Sequence, residues 1–351
     1  MIDEKSGTET NHENSISKEI SAIFNEVPFP TPESNTVLLT NTYCLPQMTA
    51  FSRSISFNLK TLWLFTYSDL TPVIVPHSIA GFANLCSGLV LRFDNTAEDT
   101  SRILLRAACM VLWLWLNLLS FNVGNQRLDD SIEEDAINKA WRPLPAKRLD
   151  RRQARHLLIA VISLTLCFSC FVGGLQESLV LMVLNWIHND LGGGDENFWV
   201  RDILNALGFI CFSSGTSLVL GGPIAKISLA GQIWVTIMGS CVFFTIPVQD
   251  LYDQPGDKAR NRRTAPLVLG DLLCRIRIAI CVIVYSAWAP FYLQVPLHTH
   301  IAVFLLGLVV SGRTMILRSI AADKSTFKHW WSAWMIALYG LPLFSRGQLL
   351  F

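Results

Sequence analysis

Apolar residues along this chain occur in long blocks separated by short polar segments. A helix needs roughly 20 mostly apolar residues to cross a bilayer, and the blocks approach or exceed that length. They predict nine membrane-spanning helices, at residues 60–83, 102–124, 156–173, 175–189, 203–221, 228–249, 273–293, 299–318 and 328–345. We therefore expect an all-α integral membrane protein built as a nine-transmembrane-helix bundle.

The composition agrees with this expectation. Hydrophobic residues make up 51% of the 351 residues and charged residues only 16%, whereas a soluble domain carries about 25% charged residues. The net charge of +1 excludes a broadly basic nucleic-acid-binding protein. The lipid bilayer is thus the expected surrounding of the chain, and no nucleic acid is an expected partner.

The chain divides at about residue 57. Residues 1–57 are polar or mixed and contain no apolar segment typical of a cleavable signal peptide. We expect a polar, largely disordered N-terminal tail there, followed by a transmembrane domain over 58–351.

Lysine and arginine are concentrated in the loops after the even-numbered predicted helices, for example Arg142, Lys147 and Arg260. Positively charged loops remain on the cytosolic side of a membrane. The N-terminus and the even loops are therefore predicted to face the cytosol.

The first candidate site follows the second predicted helix. Asn125, Asp129 and Glu133 are spaced i, i+4, i+8, which predicts that they stack along one face of a helix. The basic residues Lys139 and Arg142 come shortly after them.

The second candidate site follows the sixth predicted helix. Asp250 and Asp253 share a helical face at i, i+3, and Pro255–Gly256 predicts the end of that helix, with Asp257 on the turn. Lys258 and Arg262 lie just beyond.

Both clusters follow even helices and therefore emerge on one side of the membrane. Neighbouring carboxylates repel one another unless a cation neutralises them, and oxygen ligands suit Mg²⁺ completed by substrate phosphates. Phosphate groups are bound by basic side chains of the kind found here, Lys139, Arg142, Lys258 and Arg262. Two other interpretations remain open: solvated loop charges, or a transporter whose carboxylates guide cations.

At these residues the chain resembles the UbiA superfamily of intramembrane prenyltransferases. That family shows N-x-x-x-D-x-x-x-D and then R-P-L-P after helix 2, and D-x-x-x-D after helix 6. Asn125, Asp129 and Glu133 fall on the first pattern, followed by Arg142-Pro143-Leu144-Pro145. Asp253 and Asp257 fall on the second.

The resemblance implies a fold and a site. The fold is a UbiA-type bundle enclosing a central cavity, so that 58–351 is the catalytic domain. The site binds Mg²⁺ and a prenyl diphosphate, farnesyl or geranylgeranyl diphosphate. The implied metal ligands are Asp129, Glu133, Asp253 and Asp257, with Asn125 and Asp250 also in the catalytic set. The choice among Glu133, Glu134 and Asp135 as metal ligand stays open.

The product class depends on the fate of the allylic cation. Gln126 stands where many members that prenylate aromatic acceptors carry Asp, and this variant is similar to a fungal subgroup that includes membrane-bound terpene cyclases. We expect a membrane-bound terpene cyclase of secondary metabolism, with transfer of the prenyl group to an aromatic acceptor as the alternative. The expected location is the endoplasmic reticulum membrane, with the mouth of the site facing the cytosol.

Overall fold

A computed structural model describes residues 46–88, 90–92 and 100–345. Residues 1–45, most of the predicted polar tail, lie outside this part of the chain, so the tail stays a prediction. The predicted Mg²⁺ and substrate residues are all within it.

The described chain is almost entirely helical, as the apolar blocks predict. The helices are α1 (Pro46–Thr66), α2 (Val75–Ser87), α3 (Thr100–Gln126), α4 (Asp129–Asn138), α5 (Arg151–Val172), α6 (Leu175–Asn185), α7 (Gly193–Glu196), α8 (Phe198–Gly221), α9 (Leu229–Thr245), α10 (Asp250–Ala259), α11 (Ala265–Leu269), α12 (Asp271–Tyr292), α13 (Leu297–Ile316), α14 (Ile320–Ser325) and α15 (Ser332–Gly340). Leu70–Ile74, Trp186–Asp190 and Thr326–Trp331 are π-helical, and Ile246–Gln249 and Leu341–Phe344 are 3₁₀ turns.

Six helices of the described residues are long and apolar enough to cross a membrane. They cover Ser101–Gln126, Arg151–Val172, Phe198–Gly221, Leu229–Ala259, Asp271–Tyr292 and Leu297–Ile316. The predicted count of nine is not confirmed by this criterion. The predicted spans at 60–83, 175–189 and 328–345 fall on helices interrupted by π-helical turns, so none of the three forms one long regular helix.

Helix α8 is at the centre of the bundle, where it packs against α2, α3, α6 and α9. Trp113 of α3, which is fully buried, packs against Gly215 of α8. A Cβ atom added at Gly215 would lie 2.0 Å from the Trp113 ring. Glycine at this position is what lets the two helices pack around an indole.

An ion-pair cluster joins three later helices. Arg275 of α12 binds both carboxylate oxygens of Asp323 on α14, at 2.8 and 2.7 Å, and donates to the Thr314 carbonyl of α13 at 2.8 Å. Arg275 and Asp323 are each 1% exposed. The pair ties α12, α13 and α14 together at one end of the bundle.

The two acidic segments differ from their predicted local structure. Helix α3 ends at Gln126 and α4 begins at Asp129, so the prediction that Asn125, Asp129 and Glu133 stack on one helix is wrong. Two separate helices carry them. The i, i+4, i+8 rule holds only along an unbroken helix.

The predicted helix end at Pro255–Gly256 is also wrong, because α10 continues through Pro255 to Ala259. Proline has no N–H and leaves the carbonyl four residues earlier without its donor. Here the Gln254 side chain donates to that carbonyl, Leu251 O, at 3.0 Å. Asp250, Asp253 and Asp257 therefore share one face of a continuous helix.

The apolar pattern does not predict the two short β-strands of the structure. Strands β1 (Leu91–Arg92) and β2 (Lys226–Ile227) form a two-stranded antiparallel ladder between loops. Each strand has two residues, too few for a recognisable alternation.

Candidate active site

A cavity of about 160 Å³ lies within the bundle, and its lining combines charged, polar and apolar side chains. A first group, charged except for Asn125, consists of Asp69, Asn125, Glu134, Lys139, Arg142, Arg201, Asp253 and Arg262. A second, apolar group includes Val73, Leu118, Phe121, Leu181, Leu204, Phe209, Phe212, Ile246 and Phe327. We call the part of the cavity lined by the first group the mouth and the part lined by the second the chamber.

The mouth forms where α4 packs against α10. Just after α4, Lys139 Nζ contacts Asp253 Oδ2 at 2.8 Å, and Asn138 Nδ2 donates to the Asp253 backbone carbonyl at 3.2 Å. Gly256 permits this approach, since a Cβ atom there would lie 2.2 Å from Asn138 Nδ2 and 3.0 Å from Glu134 Cγ. The two polar segments, far apart in sequence, thus meet at the mouth of the cavity.

Arg262 is at the centre of an ion-pair network at the mouth. Its guanidinium contacts Glu134 at 2.8 Å and Asp195 at 2.7 Å, and Arg260 contacts the same two carboxylates at 3.2 and 2.7 Å. Glu134 is 6% exposed. Although burial alone would raise the pKa of Asp195, Arg262 and Arg260 hold that pKa below its ordinary value. The Asp195 carboxyl is therefore ionised near neutral pH.

A second network lies deeper. Arg201 of α8 contacts Asp250 at 3.0 Å, and Arg262 reaches Asp257 at 3.4 Å. Asp250 and Asp257 are each 1% exposed. In each of them Oδ2 is buried and has no hydrogen-bond partner among the residues described. Two buried carboxylate oxygens thus have lone pairs available for a cation.

Arg142 reaches the mouth from the loop after α4. It contacts Asp135 at 2.7 Å and is 8% exposed. Burial raises the pKa of the Asp135 carboxyl, while Arg142 and Lys139 act in the opposite direction. Asp135 is therefore paired with Arg142. Arg142 also lines the cavity and places a positive charge there.

The predicted site residues divide into three groups. Asn125, Lys139, Arg142, Asp253 and Arg262 line the cavity. Asp250 and Asp257 are buried on the same helix as Asp253, whereas Asp129, Glu133 and Lys258 are exposed and absent from the lining. Asp129 contacts Arg151 at 2.6 Å with its side chain 61% exposed. The predicted roles of all these residues stay predictions.

Several lining residues were not assigned from the sequence. Glu134 was left as an alternative to Glu133, and the break before α4 turns Glu134 toward the cavity. Arg201 lies in the first turn of the apolar helix α8, and a charged residue in such a helix is itself a functional signal. Of the aromatic residues in the apolar blocks, Phe121, Phe209, Phe212 and Phe327 line the cavity, which periodicity alone does not reveal.

No three His, Cys, Asp or Glu side chains in the described part of the chain form a ready-made metal cluster. The carboxylates at the mouth are spread around it and paired with basic side chains. Mg²⁺ usually needs only one or two protein carboxylates, because water and substrate phosphates complete its shell. The oxygen donors at the mouth fit that mode of binding.

Comparison with known proteins gives consistent matches. The sequence pattern of the UbiA prenyltransferase family matches residues 87–338. The fumagillin beta-trans-bergamotene synthase of Aspergillus fumigatus is 28% identical over 306 residues, covering 84% of this chain and 96% of that protein. The somaliensene A/B synthase of Streptomyces somaliensis is 25% identical over 283 residues, covering 79% and 90%.

Among solved structures, a UbiA homolog from Archaeoglobus fulgidus bound to GPP and Mg²⁺ has a similar fold. Its TM-score is 0.56 at 14% identity, with 81% of this chain and 99% of that chain covered. At this identity the similarity concerns the fold alone.

Proposed function

The chain belongs to the UbiA prenyltransferase family, and from that premise we propose that it ionises a prenyl diphosphate and cyclises the resulting cation to a terpene. The observation that carries the proposal is the convergence of α4 and α10 on one cavity, with charges at the mouth and an apolar chamber. A prenyl diphosphate has the matching chemistry, an anionic head on an apolar chain.

The basic side chains at the mouth would bind the diphosphate. Lys139, Arg142 and Arg262 line the cavity and are each paired with a carboxylate. Arginine binds phosphate oxygens through two N–H groups at once, so the same guanidinium can turn from a carboxylate to a diphosphate. Lys258, exposed in the structure, is the fourth predicted contact.

Mg²⁺ fits the carboxylates of this site, because buried oxygens of Asp250 and Asp257 have no hydrogen-bond partner in the described structure. Asp253 and Asp257 would hold the metal from α10, with carboxylates of α4 opposite them. The ligands predicted on α4 are Asp129 and Glu133, and Glu134 is a third candidate because it lines the cavity. When bound, Mg²⁺ supplies Lewis-acid stabilisation of the leaving diphosphate.

The chamber would protect the cation. Its apolar side chains exclude water, and aromatic faces stabilise a nearby positive charge by about 0.5–2 kcal/mol each. Phe121, Phe209 and Phe212 supply such faces. The polar mouth and the dry chamber therefore separate the charge of the leaving group from that of the hydrocarbon.

Cyclisation is favoured over prenyl transfer by the relatives and by Gln126. Two of the most similar proteins are named as bergamotene and somaliensene synthases. Gln126 is fully buried and donates to the Phe65 carbonyl at 2.9 Å. A carboxamide is not a base, and this one already donates a hydrogen bond to the backbone. Gln126 therefore supplies no base for a phenolic acceptor.

We also propose the finer features of the organisation. The three interrupted segments complete a nine-helix bundle. Farnesyl or geranylgeranyl diphosphate is the substrate. The protein resides in the endoplasmic reticulum membrane with the mouth of its cavity toward the cytosol. The basic loops after the even helices support this orientation.

The test uses membranes containing the protein, Mg²⁺, and farnesyl or geranylgeranyl diphosphate without an acceptor. We expect release of diphosphate together with a cyclic hydrocarbon, and loss of both in EDTA. Asp253→Asn should reduce diphosphate release by about 100-fold or more, because it removes charge that holds the metal. Product only after adding an aromatic acceptor would indicate prenyl transfer, and intact substrate throughout would refute the proposal.

A further inference from the structure

A cyclisation that yields a hydrocarbon ends with the loss of a proton from the final cation, so the site needs a proton acceptor. The side chains assigned above bind diphosphate or metal and do not supply one at the chamber. His188, which lines the cavity and packs against the chamber residue Phe121, has the geometry for this step. The inference rests on the proposed function.

A chain of side-chain amides determines which nitrogen of His188 carries hydrogen. Asn185 Nδ2 donates to the backbone carbonyl of Ser120 at 3.2 Å, and a carbonyl only accepts. Asn185 Oδ1 is therefore the acceptor for Asn189 Nδ2, which leaves Asn189 Oδ1 as an acceptor. Asn189 Oδ1 accepts a hydrogen bond from Asn125 Nδ2 at 2.8 Å and contacts His188 Nδ1 at 2.9 Å. His188 Nδ1 must then carry a hydrogen.

The other ring nitrogen is available. No hydrogen bond joins His188 Nε2 to any residue in the described ranges. In a neutral imidazole protonated on Nδ1, Nε2 carries a lone pair and acts as a base. The amide chain thus favours a ring with its hydrogen on Nδ1 and a free lone pair on Nε2.

The ring is also held in position. A Cβ atom added at Gly194 would lie 2.5 Å from His188 Cε1, so the backbone at Gly194 packs directly on the imidazole. Phe121, a chamber residue, packs against it nearly edge-on with ring centroids 5.2 Å apart. His188 lies in the π-helical turn Trp186–Asp190, and such turns are frequent at functional sites.

We propose that His188 is the catalytic base that ends the reaction, accepting the proton on Nε2. In this step a C–H bond next to the cationic carbon breaks, its electron pair forms the new C=C bond, and the proton forms an N–H bond. The hydrocarbon leaves neutral and the ring becomes an imidazolium. The diphosphate released at the mouth supplies negative charge that offsets the new positive charge on the ring.

The experiment measures diphosphate release and hydrocarbon separately for the full-length protein in membranes, with farnesyl and geranylgeranyl diphosphate as substrates. In His188→Gln the amide can still donate to Asn189 but is not a base. We expect diphosphate release within about threefold of the unaltered protein. The hydrocarbon that the unaltered protein makes should fall at least about 100-fold per diphosphate released, the lower end of the range for loss of a general base. Alcohols or double-bond isomers of that hydrocarbon should form in its place.

A second variant separates a base from a packing residue. His188→Ala leaves room for a free imidazole, and we expect added imidazole to restore the ratio of hydrocarbon to diphosphate. His300→Gln is the matched control, because His300 is half-buried and lies outside the cavity lining; its ratio should equal that of the unaltered protein. An unchanged ratio in His188→Gln, or no response of His188→Ala to imidazole, would overturn the proposal. Failure of the unaltered protein to release diphosphate would instead refute the proposed function.

Discussion

Glu133 and Glu134 are adjacent on α4, yet their surroundings are opposite. Glu133 is exposed, whereas Glu134 is buried at the mouth in contact with Arg262. We expect Glu134→Gln to lower the rate of diphosphate release by about 100-fold, as is typical for one charged group at a reacting centre. Glu133→Gln, the matched variant, should cause the smaller loss. The rates of both are compared at saturating Mg²⁺.

A larger loss in Glu133→Gln would contradict this expectation and would support the assignment made from the motif. Comparing the two variants therefore decides which of these two carboxylates of α4 acts at the metal. Thermal unfolding of both variants verifies that each is folded.

Of the residues that the motifs singled out, Asn125, Lys139, Arg142, Asp253 and Arg262 line the cavity. The motifs did not distinguish Glu134 from its neighbours Glu133 and Asp135, and they did not indicate His188. Glu134 depends on a break between α3 and α4, and His188 on a π-helical turn; both change the register of side chains without a composition that marks them. Local spacing does not show where an irregular backbone turns a side chain toward the cavity.

Helices α4 and α10 are held together at Gly256, and this contact is testable. Gly256→Ala would place a methyl group 2.2 Å from Asn138 Nδ2. Asn138 must then move and lose its hydrogen bond to the Asp253 carbonyl. We expect at least about a tenfold loss of diphosphate release, since small displacements at a reacting centre have large effects.

The matched control is Gly312→Ala on α13. Gly312 has open space within 4 Å of the added Cβ atom, and alanine favours helix formation over glycine. Activity should therefore be unchanged. Equal activity in Gly256→Ala and Gly312→Ala would show that close packing of α4 on α10 does not matter for the reaction.

At the level of helices, the sequence was most informative for long apolar runs. Helices α3, α5, α8, α12 and α13 coincide with predicted spans because length and hydropathy define them. Pro255 misled the prediction for α10, since Gln254 supplies the donor that proline lacks. Such compensation by a neighbouring side chain cannot be inferred from proline alone.

The bundle as a whole depends on ion pairs outside the site. Asp323→Ala would remove the carboxylate that binds two guanidinium nitrogens of the buried Arg275 and leave only the partly exposed Asp271, at 2.8 Å. Breaking a buried ion pair costs about 3–5 kcal/mol when the remaining charge has no partner. Asp271 offsets part of that loss, and the thermal unfolding temperature in detergent should still fall. Activity per folded molecule should persist, because neither residue lines the cavity.

Glu196→Ala is the surface control, since Glu196 is exposed and surface substitutions usually change stability by less than about 0.5 kcal/mol. An unfolding temperature equal in Asp323→Ala and Glu196→Ala would show that the Arg275 pair does not support the bundle.

We propose that α4 and α10, with the loops that follow them, share one diphosphate at the mouth while the prenyl chain occupies the chamber. The most direct measurement is a structure determined with Mg²⁺ and the unreactive analogue farnesyl thiodiphosphate. We predict phosphate oxygens within about 3 Å of Arg142 and Arg262 nitrogens, a metal bound by Asp253, and the prenyl chain against Phe121 and Phe209. A diphosphate bound elsewhere, or one contacted by only one of the two helices, would contradict the account.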